Sequence, residues 1–256
     1  MVRSALAETE QIPKMVLSRE LQLSSQTPLD PWALLQRFDR RTQGHRFCFR
    51  FGSSAFVGAT PERLIALEGR FVRSDCLAGT TARHQDETLD EQLAAELLAS
   101  DKNQREHAFV VSAIRDGLTD LCDTLRVGDQ PSILKLPTVQ HLHTSVSGRL
   151  REDAKLGKIL AALHPTPAVC GVPREPARQA IRRLEGRSRG WYAGAVGWIG
   201  QDAADFAVGI RSALLHDQGA VVFAGGGIVP GSDPEAEFEE TERKASGMVA
   251  LLEGAS

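Results

Sequence analysis

Apolar and polar positions alternate with a period of two in several segments, which marks them as strands. The pattern is clearest in RFCFRF, where Phe47, Phe49 and Phe51 alternate with Arg and Cys. Ile12 to Leu17 (IPKMVL) reads as the start of a strand. SAFVGA and ERLIALEGRFVR read as further strands or hairpin arms, with Gly58 and Gly69 near turns. Ser132 to Leu150 returns to strand-like alternation, and two glycine-bearing strands, WYAGAVGWI and DFAVGIRSALL, precede a third, AVVFAGGGIV. Elsewhere the period is helical. Leu89, Leu93 and Leu97 mark one face of a helix after Asp86. Val110, Ile114, Leu118 and Leu121 mark a second, from about Gln104 to Leu121. Shorter helices are predicted over Pro31 to Phe38, Leu156 to Leu163 and Pro176 to Leu184. The last helix has a clear start, because Ser232 or Asp233 can cap it and Pro234 suits its first position; it runs to about Leu252. Residues 1–11 are polar and read as a flexible N-terminus, leaving 12–256 as a single large domain. Strands and helices come in mixed blocks rather than strict βαβ alternation, which predicts an α+β fold.

Composition narrows the function. Of 256 residues, 42% are hydrophobic and 25% charged, as in a soluble globular protein with a sizeable core. The net charge of −3, with 5% aromatics and one tyrosine, argues against a nucleic-acid or acidic-membrane partner. No apolar run is long enough to span a bilayer, and MVRSALAETEQ lacks the apolar core of a secretory signal. Cys48, Cys76, Cys122 and Cys170 are widely spaced without a CxxC pair, which favours reduced thiols over zinc or disulfides and predicts a cytoplasmic protein.

Several residues could carry chemistry, each with an ordinary alternative. Glu237, Glu240 and Lys244 share one stripe of the last helix, which continues into Met248 and Leu251. These charges either face inward at a site or complement the helix dipole, as Glu235, Glu239 and Glu242 do. Glu106 heads a stripe with Val110, Ala113 and Gly117, as a solvated helix-end acid or an inward ligand. Carboxylates from two helices would suit Mg²⁺, which takes few protein ligands and fills its shell with water and substrate oxygens. Lys14 lies between apolar neighbours, so it either snorkels out or sits where burial favours the neutral form that a general base needs. Arg211 is expected to alternate with Gly209 and Ala207 on one strand face, leaving room for a ligand carboxylate or a salt bridge. Glu62 in ATPERL reads locally as a turn acid, and His141 and His143 as structural. AGGGIVPG lacks the lysine and hydroxyl of a P-loop, and no GxSxG elbow is present.

Taken together, PKMVLSRE, GATPERL, LAGT, SDKNQREH, PTVQHLHTSVSGRL, LHPTPAVCGVPREPA, RGWYAGAVGW, DFAVGIRSAL and AGGGIVPGSDPEAEFEETERK resemble the chorismate-utilising enzymes, most closely their isochorismate synthase branch, from Lys14 to about Leu252. The resemblance implies one domain of mixed, mainly antiparallel sheets packed with helices. It implies Mg²⁺-dependent, reversible isomerisation of chorismate, with water attacking C2 and the C4 hydroxyl departing. Lys14 then matches the general base and Glu62 the general acid. Glu106 and Glu240 match direct magnesium ligands, and Glu237 a carboxylate holding a metal-bound water. Arg211 and Tyr192 match groups around the enolpyruvyl carboxylate. Lys244, Gly79, Thr80 and Gly226 match groups around the ring carboxylate and bound substrate, and Ala168, Val169, Ile210 and Phe223 line the pocket. The implied partner is chorismate alone, with no nucleic acid, membrane or obligatory protein; the resemblance is to the menaquinone and siderophore branch, and the residues do not choose between menaquinone, a siderophore and salicylate as the fate of the product.

Smaller features select the branch. Aminodeoxychorismate synthases carry a lysine at the position of Ala78, and aminating relatives resemble FPxxxxSGAPK where this chain has HPTPAVCGVPRE. Salicylate synthases tend to carry an acid at the position of Asn103. Alternatives are a salicylate-forming or aminating enzyme, or an inactive chorismate-binding module. Family members have further N-terminal strands before the segment matching Lys14, so an exposed sheet edge and self-association are also expected.

Overall fold

The computed structural model describes residues 1–38, 44–137, 139–217 and 219–254; Thr138 of the PTVQHLHTSVSGRL segment lies outside them. In chain order the elements are α1 (Val2–Leu6), β1 (Lys14–Ser24), α2 (Pro31–Arg37), β2 (His45–Phe51), β3 (Ser54–Thr60), β4 (Arg63–Glu68), β5 (Phe71–Ala82), α3 (Glu87–Ala99), α4 (Asp101–Thr119), β6 (Cys122–Val127), β7 (Ser132–Lys135), β8 (Val139–Leu150), α5 (Leu156–Leu163), β9 (Gly171–Val172), α6 (Arg174–Glu185), β10 (Ala195–Ile199), β11 (Ala203–Val208), β12 (Ser212–His216), β13 (Gly219–Ile228) and α7 (Pro234–Glu253). They form two antiparallel sheets with helices packed on them, an α+β fold. One sheet runs β2-β3-β12-β13-β1-β9; the other runs β10-β11-β4-β5-β8-β6, with β7 also paired to β8.

Strand alternation assigns each residue to a layer. On β13, Ala220, Val222 and Ala224 pack against Ala245, Met248 and Leu252 of α7, while Phe223 belongs to a second core with Ile65 and Val72 of the other sheet and Val110, Ile114 and Leu118 of α4. On β1, Met15 and Leu17 pack with Ala177 and Ile181 of α6, so Lys14 and Val16 face the other way, toward the space between the sheets. The register Val16 opposite Gly227 and Ser18 opposite Gly225 lays the glycine run beside this start of β1.

Helix starts follow local chemistry. Asp233 accepts hydrogen bonds from the Glu235 and Ala236 N–H groups, and Pro234 opens α7. Ser100 ends α3 and caps α4, so SDKNQREH launches a new helix across a one-residue joint.

Several expectations are corrected. The N-terminal stretch contains helix α1, and Ala5 is fully buried against α6 and β1, because its small side chain completes an apolar cluster with Ile12 and Ile181. Helix α3 buries Asp90, Ala94 and Leu97, half-buries Leu93 and exposes Leu89, so the leucine face holds only toward its end; at its start the inward position belongs to Asp90, held by Arg83 and Lys135. Gly58 lies inside β3, where Arg211 and Phe47 approach too closely for a side chain. Helix α6 begins after Pro173, before Pro176. The segment around Trp191–Gly194 is a turn, and only Ala195–Ile199 is strand. DFAVGIRSALL is two strands in different sheets, and Arg211 lies in the crossing with φ 49°. It therefore does not share a strand face with Ala207 and Gly209. Two of the edge strands carry exposed apolar side chains, Phe51 (83% exposed) on β2 and Trp198 and Ile199 on β10.

Ile65 is fully buried between the sheet of β4 and its helices. Ile65→Ala should lower the unfolding free energy by about 2–5 kcal/mol, read from urea denaturation.

Candidate active site

A pocket opens between the two sheets, bounded by the start of β1, the glycine run of β13, the β3–β4 corner, Glu106 near the start of α4 and Lys244 midway along α7. Its wall includes Glu62, Gly79, Thr80, Glu106, Ala168, Val169, Tyr192, Ile210, Arg211, Phe223 and Lys244, which a linear reading could only collect by resemblance. Lys14 stands behind this wall. Gly226, Glu237 and Glu240 are not part of it. For Gly226 the reason is strand alternation: a Cβ there would meet Thr241 and Glu237 of α7, while Gly225 and Gly227 face the pocket.

Lys14 is 0% exposed, and its Nζ lies 3.2 Å from Glu106 Oε1. Two charges so far from water hold each other in place, since either alone would carry a large desolvation cost. Burial by itself would raise the Glu106 carboxyl, but the Lys14 charge, followed by those of Lys244 and Lys102, holds it below its ordinary value. Gly227 makes the pair possible: a Cβ there would stand 2.2 Å from Glu106 Oε1.

Across the pocket, Glu62 is 5% exposed. Its N–H donates to Thr60 Oγ1 (3.2 Å), and its Oε1 accepts from Thr166 Oγ1 (3.3 Å). Burial pushes the carboxyl up to about 7, against the hydrogen bond from Thr166 and the charges of Lys14, Lys244 and Arg211. This is a carboxyl that carries a proton near neutrality, as a general acid must. The turn acid of the linear reading is thus a buried one, because Pro61 carries the chain inward between β3 and β4.

Arg211 takes up a left-handed conformation costing about 1–3 kcal/mol, and its guanidinium is anchored from two sides. Nη1 donates to the Lys244 carbonyl (3.0 Å), and Nη2 to His141 Nε2 (3.3 Å). Since a guanidinium only donates, Nε2 accepts and the Nδ1 proton points to Thr80 Oγ1 (3.0 Å) and the Gly79 carbonyl (3.3 Å). Burial, then the charges of Arg211 and Lys244, hold His141 neutral, well below its ordinary value. His141, expected to be structural, lines the pocket; its place two residues before His143 on β8 carries no signal to separate them. His143 binds Asp75 outside it. Tyr192 stacks on Phe223 with ring centroids 5.1 Å apart, and burial raises its hydroxyl to about 12, so it stays a donor.

The acids of α7 complete the electrostatics. Lys244 pairs with Glu240 and donates to the Gly225 carbonyl (3.2 Å). Glu237, 3% exposed, accepts from Lys102 Nζ at 2.5 Å. Burial raises the Glu237 carboxyl, and the charge of Glu240 adds to the rise, while Lys102 opposes it. Among the described residues no three His, Cys, Asp or Glu groups form a ready cation cage. Glu106, Glu237 and Glu240 are nonetheless carboxylates on two helices, each facing a lysine, with Glu240 acting against the charge of Glu237; hard oxygen donors of this kind suit Mg²⁺.

A family profile described as chorismate binding enzyme matches residues 1–253. The chain is 42% identical over 247 residues to isochorismate synthase MenF of Bacillus subtilis, covering 96% of this chain and 52% of that protein. Its fold is similar to the crystal structure of DhbC from Bacillus anthracis, with a TM-score of 0.94 and 34% identity over 100% of this chain and 71% of that one. It is also similar to the menaquinone-specific isochorismate synthase MenF from Escherichia coli, with a TM-score of 0.88 and 38% identity over 97% of this chain and 60% of that one. The chain spans about half the length of the curated relatives it matches.

The position of Glu62 has a thermodynamic consequence. Between about pH 4.5 and 7 the folded protein keeps a proton that the unfolded chain has lost. The stability this group contributes is full below about 4.5 and is lost as pH rises through 7. Wild type should therefore lose about 2–3 kcal/mol more than Glu62→Gln between pH 5 and 8, read from urea unfolding at each pH.

Proposed function

Because the chain belongs to the family of chorismate binding enzymes, we propose that it is an isochorismate synthase, which isomerises chorismate reversibly to isochorismate. The observation that carries this reading is a buried lysine behind one wall of the pocket, paired with Glu106 of that wall, and a raised carboxyl, Glu62 near 7, in the wall across from it. Lys14 acts as the neutral amine, its ammonium proton having passed to solvent before the reaction; the amine takes a proton from the water that attacks C2, and Glu62 gives its proton to the C4 hydroxyl as the C4–O bond breaks. One hydroxyl is gained and one lost, so neither a redox partner nor a covalent enzyme intermediate is needed.

The substrate is a dianion, and the pocket offers cationic groups at two points. Arg211 and Tyr192 receive the enolpyruvyl carboxylate; Arg211 is held by His141 and Lys244 before substrate arrives, so little ordering is left to do on binding. Lys244, with the backbone around Gly79 and Thr80, receives the ring carboxylate; Gly226, which faces α7, has no part in it. Ala168, Val169, Ile210 and Phe223 give the ring an apolar wall that keeps stray water out. Glu106 and Glu240 would hold Mg²⁺ directly and Glu237 through a water; when bound, the ion supplies positive charge to a substrate carboxylate.

Two positions support isomerisation over its neighbours in chemistry. Ala78 is in the pocket wall where aminating relatives carry a lysine, and Asn103, which would meet any side chain at Gly79, is where salicylate-forming relatives carry an acid. The four free cysteines suit a reducing cytoplasm, and among the described residues no helix is long and apolar enough to cross a membrane.

Chromatography of the products from chorismate with Mg²⁺ or with EDTA tests the reading. Isochorismate formed only with the metal is expected. Salicylate with pyruvate would move the protein to the neighbouring branch, and no turnover by folded protein would mean a binding module. Lys14→Ala should lose at least about a hundredfold in kcat while calorimetry still detects chorismate binding; a normal rate would remove Lys14 as the base.

A further inference from the structure

Three lysines face the three acidic side chains of the site, and they are not equivalent. Lys14 is sealed in the interior, and Lys244 is tied to both Glu240 and the Gly225 carbonyl. Lys102 is different. It stands on the first turn of α4, one turn before Glu106, and 34% of its side chain is exposed. Its Nζ reaches from that position to Glu237, which is almost fully buried. Glu237 is the only hydrogen-bond partner of this ammonium among the described residues, and Lys102 also feels the charges of Glu106 and Glu240. Lys102 can therefore swing into water by rotating its own stem, with no other part of the fold moving.

On the reading that Glu106, Glu237 and Glu240 serve a divalent cation, we propose that Lys102 is the displaceable counter-ion of that cluster: it neutralises the acids while no cation is bound, and leaves when one binds. The physical basis is charge balance. Three acids around a partly dry site repel one another, and an ammonium beside them offsets the repulsion. A doubly charged ion near the same oxygens offsets it better and repels the ammonium. Part of the free energy of cation binding is then spent on expelling Lys102, so this positioning residue sets the affinity without touching substrate.

Binding of Mn²⁺ to the purified chain without substrate, followed by electron paramagnetic resonance, tests this. Lys102→Met should bind roughly tenfold more tightly than wild type, and Lys102→Arg, which keeps the charge, should resemble wild type. Equal or weaker binding by a folded Lys102→Met overturns the proposal while leaving the metal reading intact. No Mn²⁺ binding by wild type overturns the metal reading and the proposal with it. A second readout needs no variant: acetylation of Lys102 in wild type, followed by mass spectrometry, should speed up on adding MgCl₂. An unchanged rate in protein shown to bind the metal would also overturn the proposal.

Discussion

The buried pair of Lys14 and Glu106 is the constraint on which the rest of the site depends. Neither charge is tolerable in that position without the other. The pair requires β1 to enter its sheet with Lys14 facing the second sheet, and α4 to begin where Glu106 can reach back to it. It also requires a strand with no side chain at the point of contact, which Gly227 supplies. A lysine, a glutamate and a glycine more than two hundred residues apart at the extremes thus form one electrostatic unit, and the register of β1 on β13 holds it together.

The two faces of β13 explain how a single strand serves both core and chemistry. Ala220, Val222 and Ala224 face α7, and small size on that side lets the helix approach. That approach brings the Glu237–Glu240–Lys244 stripe to the end of the strand where Glu106 arrives from the other side. The opposite face, with Phe223, Gly225 and Gly227, forms the floor of the pocket. Positive charge is distributed unevenly around that floor. Lysines answer the acids at one end, while Arg211, fixed by His141 and the Lys244 carbonyl, holds its charge toward the other. Glu62 has no cation at hydrogen-bond distance, only the Thr166 hydroxyl, so burial wins over that bond and over the more distant positive charges and lifts its carboxyl to about 7.

Much of this was legible in the chain itself. The alternation of RFCFRF, the leucine and valine period of α4 and the Asp-Pro start of α7 depend on neighbours within a few residues, and those signals read correctly. The shared stripe of Glu237, Glu240 and Lys244 follows from helix geometry alone. The order of motifs from PKMVLSRE to AGGGIVPGSDPEAEFEETERK identified the family without any structure.

What the sequence could not determine was set by contacts between distant segments. At the start of α3 Leu89 gave way to Asp90 as the inward residue, because Arg83 and Lys135 come from outside the helix to hold that acid. The break in DFAVGIRSALL at Arg211 exists because two sheets must exchange the chain there, and nothing in the local alternation marks it. His141 and His143 are indistinguishable in a strand read alone; only the placement of Arg211 makes one a pocket residue. Glu62 had no local sign of its chemistry, since burial and the company of Thr166 arise only on folding. Local periodicity chose the elements because it is a property of neighbouring residues. The charges of the site were decided by tertiary structure, because desolvation and ion pairing depend on what long-range packing brings within a few ångströms.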